Sequence, residues 1–558
     1  MMKQITLILL SVLFIGIQAV AQIAPDKYYI QFTDKNNSPY SIDNPQEFLT
    51  QRAIDRRNAH NIDIVANDIP VNTAYLQGVA DVGVDLLFAT RWLNGVTVYT
   101  TNPSLIDEIR DLPYVENALK LKDREDHGKK AFFENESYGA AFTNSDLKNG
   151  NTLTGLNYGF SLGQIDQLNG IPLHDQGFQG QGMVIAVLDG GFDGVVEHPV
   201  FDSLWANGQI LGNKDFVHVG GNVFTESSHG KSVLSCMGAN QPGEMIGTAP
   251  QASYWLLRSE DVVTENVIEE YNWVSAAEFA DSVGADVINS SLSYIDFDMP
   301  QWDHPYSDMD GNTAIATIGA DIAASKGILV HNSAGNSGGG SWPWNGAPAD
   351  GDSVFSIGAV DISDNYASFS SIGPTFDGRI KPAVMALGAG ATVAYGTMGV
   401  GPSSGTSFSS PIMAGMSTCL WQMYPEKNNM EIIEAIKESA SQYHNPDNLM
   451  GWGIPNFESA GWILTTVERK LDGDESLLHV YPNPFNQSLS IEIQAVTGET
   501  VQAELISMAG ELIFSEIIQL QSGSSIHVFD NLNQLVKGIY FLRIVSNDQV
   551  AVQRVVKQ

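Results

Sequence analysis

The chain has 558 residues, of which 43% are hydrophobic and 16% are charged, and its 64 acidic residues against 28 basic ones give a net charge of −36. This length predicts about three or four domains, and the composition is typical of globular rather than disordered chains. Nucleic acids and anionic membrane surfaces are bound largely through lysine and arginine, so the acidic balance argues against both as partners. It suits a soluble extracellular protein.

The first 21 residues are typical of a secretory signal peptide. A lysine precedes the apolar run Ile5–Ile17, and the small residues of Ala19–Ala21 predict cleavage after Ala21. The alternative is a membrane anchor, but the run is shorter than the about 20 residues of a membrane span, and Gln18 interrupts it. We therefore expect an exported protein.

Residues 22–122 are predicted to form a small α+β unit. The alternating segment Lys27–Phe32 indicates a strand, residues 44–62 a helix with Phe48, Leu49 and Ile54 on one side, and residues 83–100 two strands about a turn at Asn94. A second helix over residues 102–112 and a strand over residues 115–121 complete a split βαβ order. Residues 123–154 follow as an exposed linker with a processing site, since Lys122–Asn151 is polar and aperiodic.

Residues 155–466 are predicted to form an α/β domain with a doubly wound parallel sheet. Short apolar runs alternate with helical patterns, as expected for parallel strands that are covered on both faces. These runs are Met183–Gly191, Ala285–Ser293, Gly327–Gly338 and Ser353–Val360. Ligands in such sheets bind beyond the carboxyl ends of the strands, where Asp189 and Asn336 fall.

The sequence pattern changes again near the end of the chain. Residues 467–476 form a polar hinge, and residues 477–558 contain short alternating strands separated by turns. This pattern predicts a C-terminal β-sandwich of about 80 residues.

The chain has two cysteines, Cys236 and Cys419. An exported protein could pair them in a disulfide. We favour two buried, unpaired thiols, which behave as small apolar groups.

Three segments of the middle domain each present one reactive residue among small neighbours. Asp189 ends an apolar strand, His229 begins a helical pattern, and Ser407 opens the helix that follows "SGT". Taken alone, Ser407 could be only a helix N-cap. A serine nucleophile needs a neighbouring base, and the base needs a carboxylate to orient it, so the three residues together predict an acyl-transfer site.

The middle domain resembles the subtilisin-like serine peptidases over about 300 residues, in which the triad also runs in the order Asp-His-Ser. The motifs that carry the resemblance are "VIAVLDGGFD", "HGKSVLSCMGA", "SGTSFSSPIMAG", "IGTAPQASYWLLR" and "GWGIPNFESA". The sequence departs from the family pattern beside the triad. The departures are Gly190 for Thr or Ser, Lys231 and Ser232 for Thr and His, and Phe408 and Ser409 for Met and Ala.

The resemblance implies further roles. Asn336 and the backbone N–H of Ser407 are expected to form an oxyanion hole. Two segments are expected to bind the substrate backbone by strand addition. Their residues are Ser291, Leu292, Ser293, Ser333, Ala334 and Gly335.

The flanking units also resemble known modules. The N-terminal unit resembles the family's inhibitory propeptide, which is cut off after folding. The C-terminal unit resembles the type A sorting domain of the Bacteroidota type IX secretion system, through "YPNPF" (Tyr481–Phe485), "ISMAGELI" (Ile506–Ile513), "GIYFLRI" (Gly538–Ile544) and the terminal "VVKQ". The expected partners are thus a peptide or protein substrate, the chain's own propeptide and outer-membrane secretion machinery, with secretion or surface attachment by way of the periplasm.

No cofactor is expected for the chemistry, and no metal ligands are assigned. An EF-hand loop beginning at Asp308, with Asp310 and Asn312, would need glutamate at its twelfth position, which is Gly319. A solvated acidic loop is the favoured interpretation, and a structural calcium stays open.

Two other functions remain as alternatives to a peptidase. One is a catalytically silent surface-binding protein with the C-terminal sandwich as an adhesion module. The presence of all the catalytic residue types argues against this alternative. The other is an esterase, but an α/β-hydrolase would need the order Ser-Asp-His and a G-x-S-x-G elbow.

Overall fold

The computed structural model describes residues 26–122, 136–139, 155–465, 478–495, 500–507, 510, 512–520, 523–545 and 550–557. The predicted signal peptide, the hinge over residues 467–476 and all of the predicted linker except residues 136–139 lie outside the described residues. We call residues 26–122 the N-terminal unit, residues 155–465 the middle domain and residues 478–557 the C-terminal unit.

The N-terminal unit is a four-stranded antiparallel sheet, in the order β2-β3-β1-β4, with helices between its strands. Its elements are β1 Lys27–Phe32, α1 Gln51–Ala59, α2 Thr73–Asp81, β2 Asp85–Thr90, β3 Gly95–Tyr99, α3 Ser104–Arg110 and β4 Val115–Lys122. Asn94 joins β2 and β3 with φ of 51°, a left-handed conformation that Asn tolerates better than most residues. The expected α+β fold is confirmed.

Two local features differ from the expectation. The first helix begins only at Gln51, because Thr50 caps it by accepting a hydrogen bond from the N–H of Ala53 at 3.3 Å. Helix α2 was not predicted, since Gly78 interrupts its pattern; its start is marked by Asn72, which accepts from the N–H of Ala74 at 2.9 Å.

The middle domain is built on a seven-stranded parallel sheet in the order β14-β13-β12-β11-β6-β10-β7. Its strands, with the short strand β5 that joins it from the linker, are β5 Ser137–Tyr138, β6 Val184–Asp189, β7 Ile210–Asp215, β8 Asn240–Gln241, β9 Met245–Ile246, β10 Ser253–Arg258, β11 Val287–Ser290, β12 Leu329–Ser333, β13 Phe355–Val360, β14 Val384–Leu387, β15 Ala389–Tyr395 and β16 Gly399–Ser404. Its helices are α4 Leu162–Asp166, α5 Ile171–Asp175, α6 Asp202–Ala206, α7 His229–Gly238, α8 Ile268–Val283, α9 Ile315–Ser325, α10 Thr406–Met423, α11 Asn429–Glu438 and α12 Phe457–Thr465.

The sheet is covered on both faces, which confirms the doubly wound α/β expectation. Along β6, Ile185 and Val187 pack into a core with α7 and α10, while Ala186 and Leu188 pack into a second core with α8 and α9. All six residues of β6 are buried. A strand buried on both faces is apolar along nearly its whole length, which is why β6 stands out in the sequence.

The C-terminal unit consists of two antiparallel sheets, β17-β18-β21 and β20-β19-β22-β23, and confirms the β-sandwich. Its strands are β17 Leu478–Tyr481, β18 Leu489–Ala495, β19 Thr500–Ser507, β20 Leu512–Gln519, β21 Gly523–Phe529, β22 Gly538–Val545 and β23 Val550–Lys557. Side chains from both sheets, such as Ile491 and Leu542, form a core separate from those of the middle domain. Phe541 also contacts Trp462 of α12, with 5.7 Å between ring centroids.

The N-terminal unit docks on helix α8 through a contact that is polar as well as aromatic. Tyr29 packs against Tyr271 with ring centroids 4.5 Å apart. The backbone N–H groups of Arg91 and Trp92 donate to the two carboxylate oxygens of Glu278, at 2.8 and 2.9 Å. The interface is therefore directional as well as apolar.

Cys236 and Cys419 are both free and buried, as favoured from the sequence. No helix within the described residues has the length and apolar character needed to cross a membrane.

Candidate active site

Asp189 and His229 meet at the carboxyl end of the central strand β6. Asp189 is the last residue of β6 and His229 the first residue of α7, and the two carboxylate oxygens lie 2.9 and 2.8 Å from His229 Nδ1. The N–H of Gly190 donates to Asp189 Oδ1 at 2.7 Å. The carboxylate thus fixes the imidazole through Nδ1 and turns Nε2 away from the sheet.

Ser407 is the second residue of α10 and does not cap the helix. The N-cap position is Gly405, and Thr406 begins the helix. The Ser407 carbonyl accepts a hydrogen bond from Ser291 Oγ at 2.9 Å, and the ring of the next residue, Phe408, lies 6.0 Å from that of His229. Since the first N–H groups of a helix lack intrahelical partners, Ser407 sits where backbone donors are available to a ligand.

Asn336 is tied to the residue before Ser407. Its Oδ1 accepts from both the backbone N–H and the hydroxyl of Thr406, each at 2.9 Å. The Thr406 hydroxyl oxygen in turn accepts from the N–H of Gly335 at 3.2 Å. Because Oδ1 is committed to Thr406, the amide orientation is set, and the NH₂ group is the end that can donate to a ligand.

The two segments expected to bind substrate flank α10, and most of their side chains are enclosed. Five of the six residues are buried, Ser293 being the half-buried one. The Leu292 and Ser333 carbonyls accept from Asn332 Nδ2 at 2.9 and 2.8 Å. The Gly335 carbonyl accepts from the N–H of Ser371 at 2.9 Å. Any substrate contact here would therefore run mainly through backbone groups.

Glu136 is a residue of the site that sequence reasoning missed. Its Oε1 lies 3.2 Å from His229 Nε2, and its side chain is fully enclosed. Strand β5, which follows it, pairs antiparallel with β16, with Tyr138 opposite Ser403 and Ser137 opposite Ser404. Glu136 and His229 are 93 residues apart, and nothing in the polar linker distinguishes Glu136 from its charged neighbours.

The two carboxylates set the protonation of His229. Burial alone would lower the pKa of the imidazole, but the charges and hydrogen bonds of Asp189 and Glu136 outweigh it and raise the pKa to about 10. Burial raises the pKa of Asp189 as well, although His229 acts in the opposite direction. The structure thus places His229 between two carboxylates, which favour its protonated form.

The departures from the family pattern have local explanations. A Cβ on Gly190 would lie 2.5 Å from Val262 Cγ1, so the loop that carries Val262 leaves no room for a side chain at position 190. Lys231 Nζ and Ser232 Oγ donate to the carbonyls of Gly396 and Ala394, at 2.7 and 3.3 Å, and so join α7 to the β15–β16 hairpin.

Phe408 and Ser409 also have packing roles. Phe408 is fully buried, and Ser409 Oγ donates to the Thr406 carbonyl at 3.0 Å within α10. These substitutions shape the surroundings of the triad candidates without replacing them.

In the acidic loop near Asp310, the carboxylates form hydrogen bonds with groups of the same segment. Asp310 Oδ1 accepts from the N–H groups of Asn312 and Thr313 at 2.8 and 2.9 Å, and Asp308 lies 3.2 Å from His304 Nδ1. Within the ranges that the structure describes, no group of three or more His, Cys, Asp or Glu side chains is arranged to hold a metal ion.

Comparison with known families matches three consecutive parts of the chain. Residues 27–134 match the peptidase S8 propeptide domain of Bacteroidota, residues 180–453 the subtilase family, and residues 479–558 a secretion system C-terminal sorting domain. The last match indicates export, with a secreted or cell-surface location.

Individual relatives agree with these matches. Subtilisin NAT of Bacillus subtilis subsp. natto is 32% identical over 302 residues, which cover 53% of this chain and 70% of that protein. Subtilisin of Bacillus pumilus is 31% identical and is covered over 97% of its length. The solved structure of the prenylagaramide maturation protease PagA aligns with a TM-score of 0.42 and 22% identity, over 52% of this chain and 97% of that one. By its family matches and its identity to these relatives, the chain belongs to the subtilase family of serine endopeptidases, with an N-terminal propeptide and a C-terminal sorting domain.

Proposed function

We propose that this endopeptidase hydrolyses peptide bonds through a triad of Asp189, His229 and Ser407. The observation that carries the proposal is the contact of Asp189 with His229 Nδ1 at 2.8 Å, beside the start of the helix that holds Ser407. An imidazole held in this way through Nδ1 presents Nε2 as the base.

In the proposed mechanism, His229 Nε2 takes the proton of the Ser407 hydroxyl while Ser407 Oγ attacks the peptide carbonyl. Asp189 stabilises the imidazolium that forms. The carbonyl oxygen becomes an oxyanion, which accepts from Asn336 Nδ2 and the Ser407 N–H. His229 then gives its proton to the leaving amine as the C–N bond breaks, and water repeats the sequence on the acyl-enzyme.

The substrate is proposed to lie as an extended strand between Ser291–Ser293 and Ser333–Gly335. Both segments adjoin α10, and their mainly buried side chains support recognition through backbone hydrogen bonds, which is tolerant of sequence. This geometry fits a peptide or protein substrate better than a small ester, because an isolated ester has no strand to pair.

We also propose that the chain cuts itself between the propeptide and the middle domain. Glu136 lies beside His229, and β5 runs from Glu136 away from the start of α10, with the Gly139 N–H bonded to the Pro402 carbonyl at 2.8 Å. The bond that would reach Ser407 in this direction is the one just before Glu136. The family match to the propeptide ends at residue 134, which agrees with a cut at this point.

The sorting domain is proposed to take the chain from the periplasm across the outer membrane by type IX machinery. The proposal rests on the resemblance of the C-terminal unit to that class of sorting domain and on its separate core. The propeptide is proposed to act as the inhibitor of the middle domain until it is released.

A serine-directed phosphonate tests the catalytic proposal. The wild-type protein should be labelled on Ser407 and should hydrolyse casein, whereas Ser407→Ala should be unlabelled, inactive and folded as judged by circular dichroism. The matched control is Ser363→Ala, which changes an exposed serine in a loop of the same domain. Peptidase activity of the Ser407→Ala protein equal to wild type would remove Ser407 from the mechanism and leave the silent-scaffold alternative to be tested by binding.

A further inference from the structure

The strand pairing of Glu136–Gly139 places a piece of the chain in one half of the active-site cleft. Besides the Gly139 bond to Pro402, Ser403 Oγ donates to the Ser137 carbonyl at 3.1 Å, and the Tyr138 ring meets the Phe408 ring edge-on at 5.9 Å. A Cβ added to Gly405 would lie 3.1 Å from Glu136 Cγ. The segment therefore lies directly beside the turn that leads into Ser407.

This half of the cleft is the one that receives the leaving group. A triad histidine passes its proton to the leaving amine, so the part of a substrate after the cut bond must run beside His229. Glu136–Gly139 runs there in the required direction, from Ser407 outwards along β16. The expected acyl-side segments, Ser291–Ser293 and Ser333–Gly335, contact α10 through Ser407 and Thr406 instead.

We propose that β16 and His229 form a binding site for a peptide strand headed by a carboxylate, and that Glu136–Gly139 occupies it as a built-in inhibitor of the uncut and freshly cut chain. This inference rests on the proposed role of His229 as the base. The inhibitory element is distinct from the folded propeptide, because it follows the processing point and stays attached to the middle domain after the cut.

The inhibition follows from proton placement. With both ring nitrogens protonated, His229 donates through Nδ1 to Asp189 and through Nε2 to Glu136. An imidazolium cannot accept the Ser407 proton, so the uncut chain reacts, and cuts itself, only slowly through the small fraction of molecules in which His229 is neutral. The Tyr138 hydroxyl donates to Glu136 Oε2 at 3.3 Å, which helps to hold that side chain in place. The charged groups that set the state of His229 are thus Asp189 and Glu136.

The first test measures His229 directly and needs no activity. In the full-length Ser407→Ala chain, which is expected to stay uncut, the His229 ring is followed by ¹⁵N-histidine NMR as pH is raised. Replacing Glu136 by Gln should lower the midpoint of the His229 titration by about 1–3 pH units, because one of two opposite charges within contact distance is removed. Glu116→Gln, an exposed change on β4 of the propeptide, should leave the midpoint unchanged.

The second test measures inhibition in the chain with Ser407 intact. A fluorophosphonate is added immediately after refolding, and only the uncut chain is scored. Glu136→Gln and Glu136→Ala should be labelled at least about tenfold faster than wild type, as expected from a shift of one pKa unit or more. Glu116→Gln should be labelled at the wild-type rate.

The outcomes separate the two proposals. A His229 midpoint that is the same in the Glu136 variants overturns the inhibitor, whatever the activity. A lowered midpoint with an unchanged labelling rate also overturns it, since the carboxylate would then hold the ring without limiting the base. A lowered midpoint in a protein that no serine reagent labels, even after processing, supports the binding site and contradicts the proposed peptidase mechanism.

Discussion

Arg57 of the propeptide and Asp281 of the middle domain form an ion pair at 2.9 Å that is closed to solvent, with 1% and 0% of the two side chains exposed. Arg56 and Arg91 converge on the same carboxylate. Three guanidinium groups from one unit thus meet at one buried carboxylate on the C-terminal turn of α8, and Arg57 also pairs with Asp68 at 3.0 Å. The propeptide is anchored to the middle domain by charge as well as by its sheet.

Asp281→Ala should strongly reduce the affinity of the middle domain for the cut propeptide. The change removes the carboxylate partner of Arg56 and Arg91 and leaves Arg57 paired with Asp68. Breaking a buried pair in this way costs about 3–5 kcal/mol, which corresponds to roughly a 10²–10⁴-fold loss of affinity. After processing, the propeptide should separate from the middle domain during gel filtration of the variant and remain bound in the wild type. Asp107→Ala is the control, because it removes a pair with Arg110 in which the Asp107 side chain is 76% exposed and contributes at most about 1 kcal/mol. Co-elution in the Asp281 variant would contradict the prediction.

Asn336→Asp should lower kcat by about 10²–10³-fold with a small effect on KM, the loss typical of removing one oxyanion donor from a subtilisin-like enzyme. Aspartate keeps an oxygen to accept from Thr406, so the turn before Ser407 should persist, while the NH₂ donor is lost. The measurement is steady-state hydrolysis of a chromogenic peptide by the mature protein. Asn312→Asp, in an exposed loop, is the control. A kcat within threefold of wild type would place the oxyanion donor elsewhere.

Gly190→Ser should destabilise the protein and reduce kcat, because the new Cβ would meet Val262. Overpacking of this kind costs about 1–3 kcal/mol, and the displaced atoms adjoin Asp189. The double variant Gly190→Ser with Val262→Ala removes the side-chain atom that the new Cβ would meet, so it should recover most of the lost stability and most of the lost kcat. A double-mutant cycle from urea unfolding would show the recovery of stability. Gly461→Ala, whose nearest neighbour would lie at 3.5 Å, is the control. Additive losses in the double variant would rule out the contact as the cause.

His304 should stabilise the middle domain at pH 6 and no longer do so at pH 10. Burial lowers its pKa, but contacts with Glu270 at 2.9 Å and Asp308 outweigh that effect and raise the pKa to about 9. A folded-state pKa above the unfolded value of about 6.5 gives stability that is complete below pH 6.5 and is lost as pH rises through 9.

The measurement is urea unfolding of His304→Gln in the Ser407→Ala background. The variant should lose on the order of 2–3 kcal/mol at pH 6 and little at pH 10. His444→Gln, at an exposed position, is the matched control. An equal loss at both pH values would show that His304 acts through packing alone.

Truncation after Gly473 should preserve peptidase activity and abolish export. The C-terminal unit has its own core, and the triad candidates lie in the middle domain. Loss of the contact between Phe541 and Trp462 should lower stability slightly without reaching the active site. Activity is assayed on purified protein, and localisation by fractionation of a host with type IX secretion. Normal export of the truncated chain would favour the adhesion-module alternative, and an inactive but folded truncation would show that the sandwich supports the middle domain.

The layered architecture was predictable from the sequence, because a strand buried on both faces is apolar along nearly its whole length. The run Val184–Asp189 is such a strand, and its polar last residue marks the edge at which the site lies. The same argument locates Asn336 after β12. The helix Thr73–Asp81 was missed, because an interior glycine obscures its amphipathic pattern and tertiary packing supplies the stability that propensity does not.

The contacts that hold the zymogen together could not be predicted. Glu136 meets His229 across 93 residues, and Arg57 meets Asp281 across 224. A charged residue carries no periodic signal that names its partner, and most charged residues are solvated. Such pairs become visible only when the fold has brought the two segments together.

Neither Cys236 nor Cys419 forms a disulfide, although the chain is built for export. The thiols instead donate to the carbonyls of Ser232 and Thr248, at 3.6 and 3.2 Å, inside the middle domain. No covalent bridge therefore joins the propeptide to the domain that it covers, and a single cut turns one molecule into a bimolecular complex. If the chain is cut as proposed, the lifetime of this complex depends on concentration, so dilution favours loss of the propeptide and leaves only the Glu136–Gly139 segment at the active site.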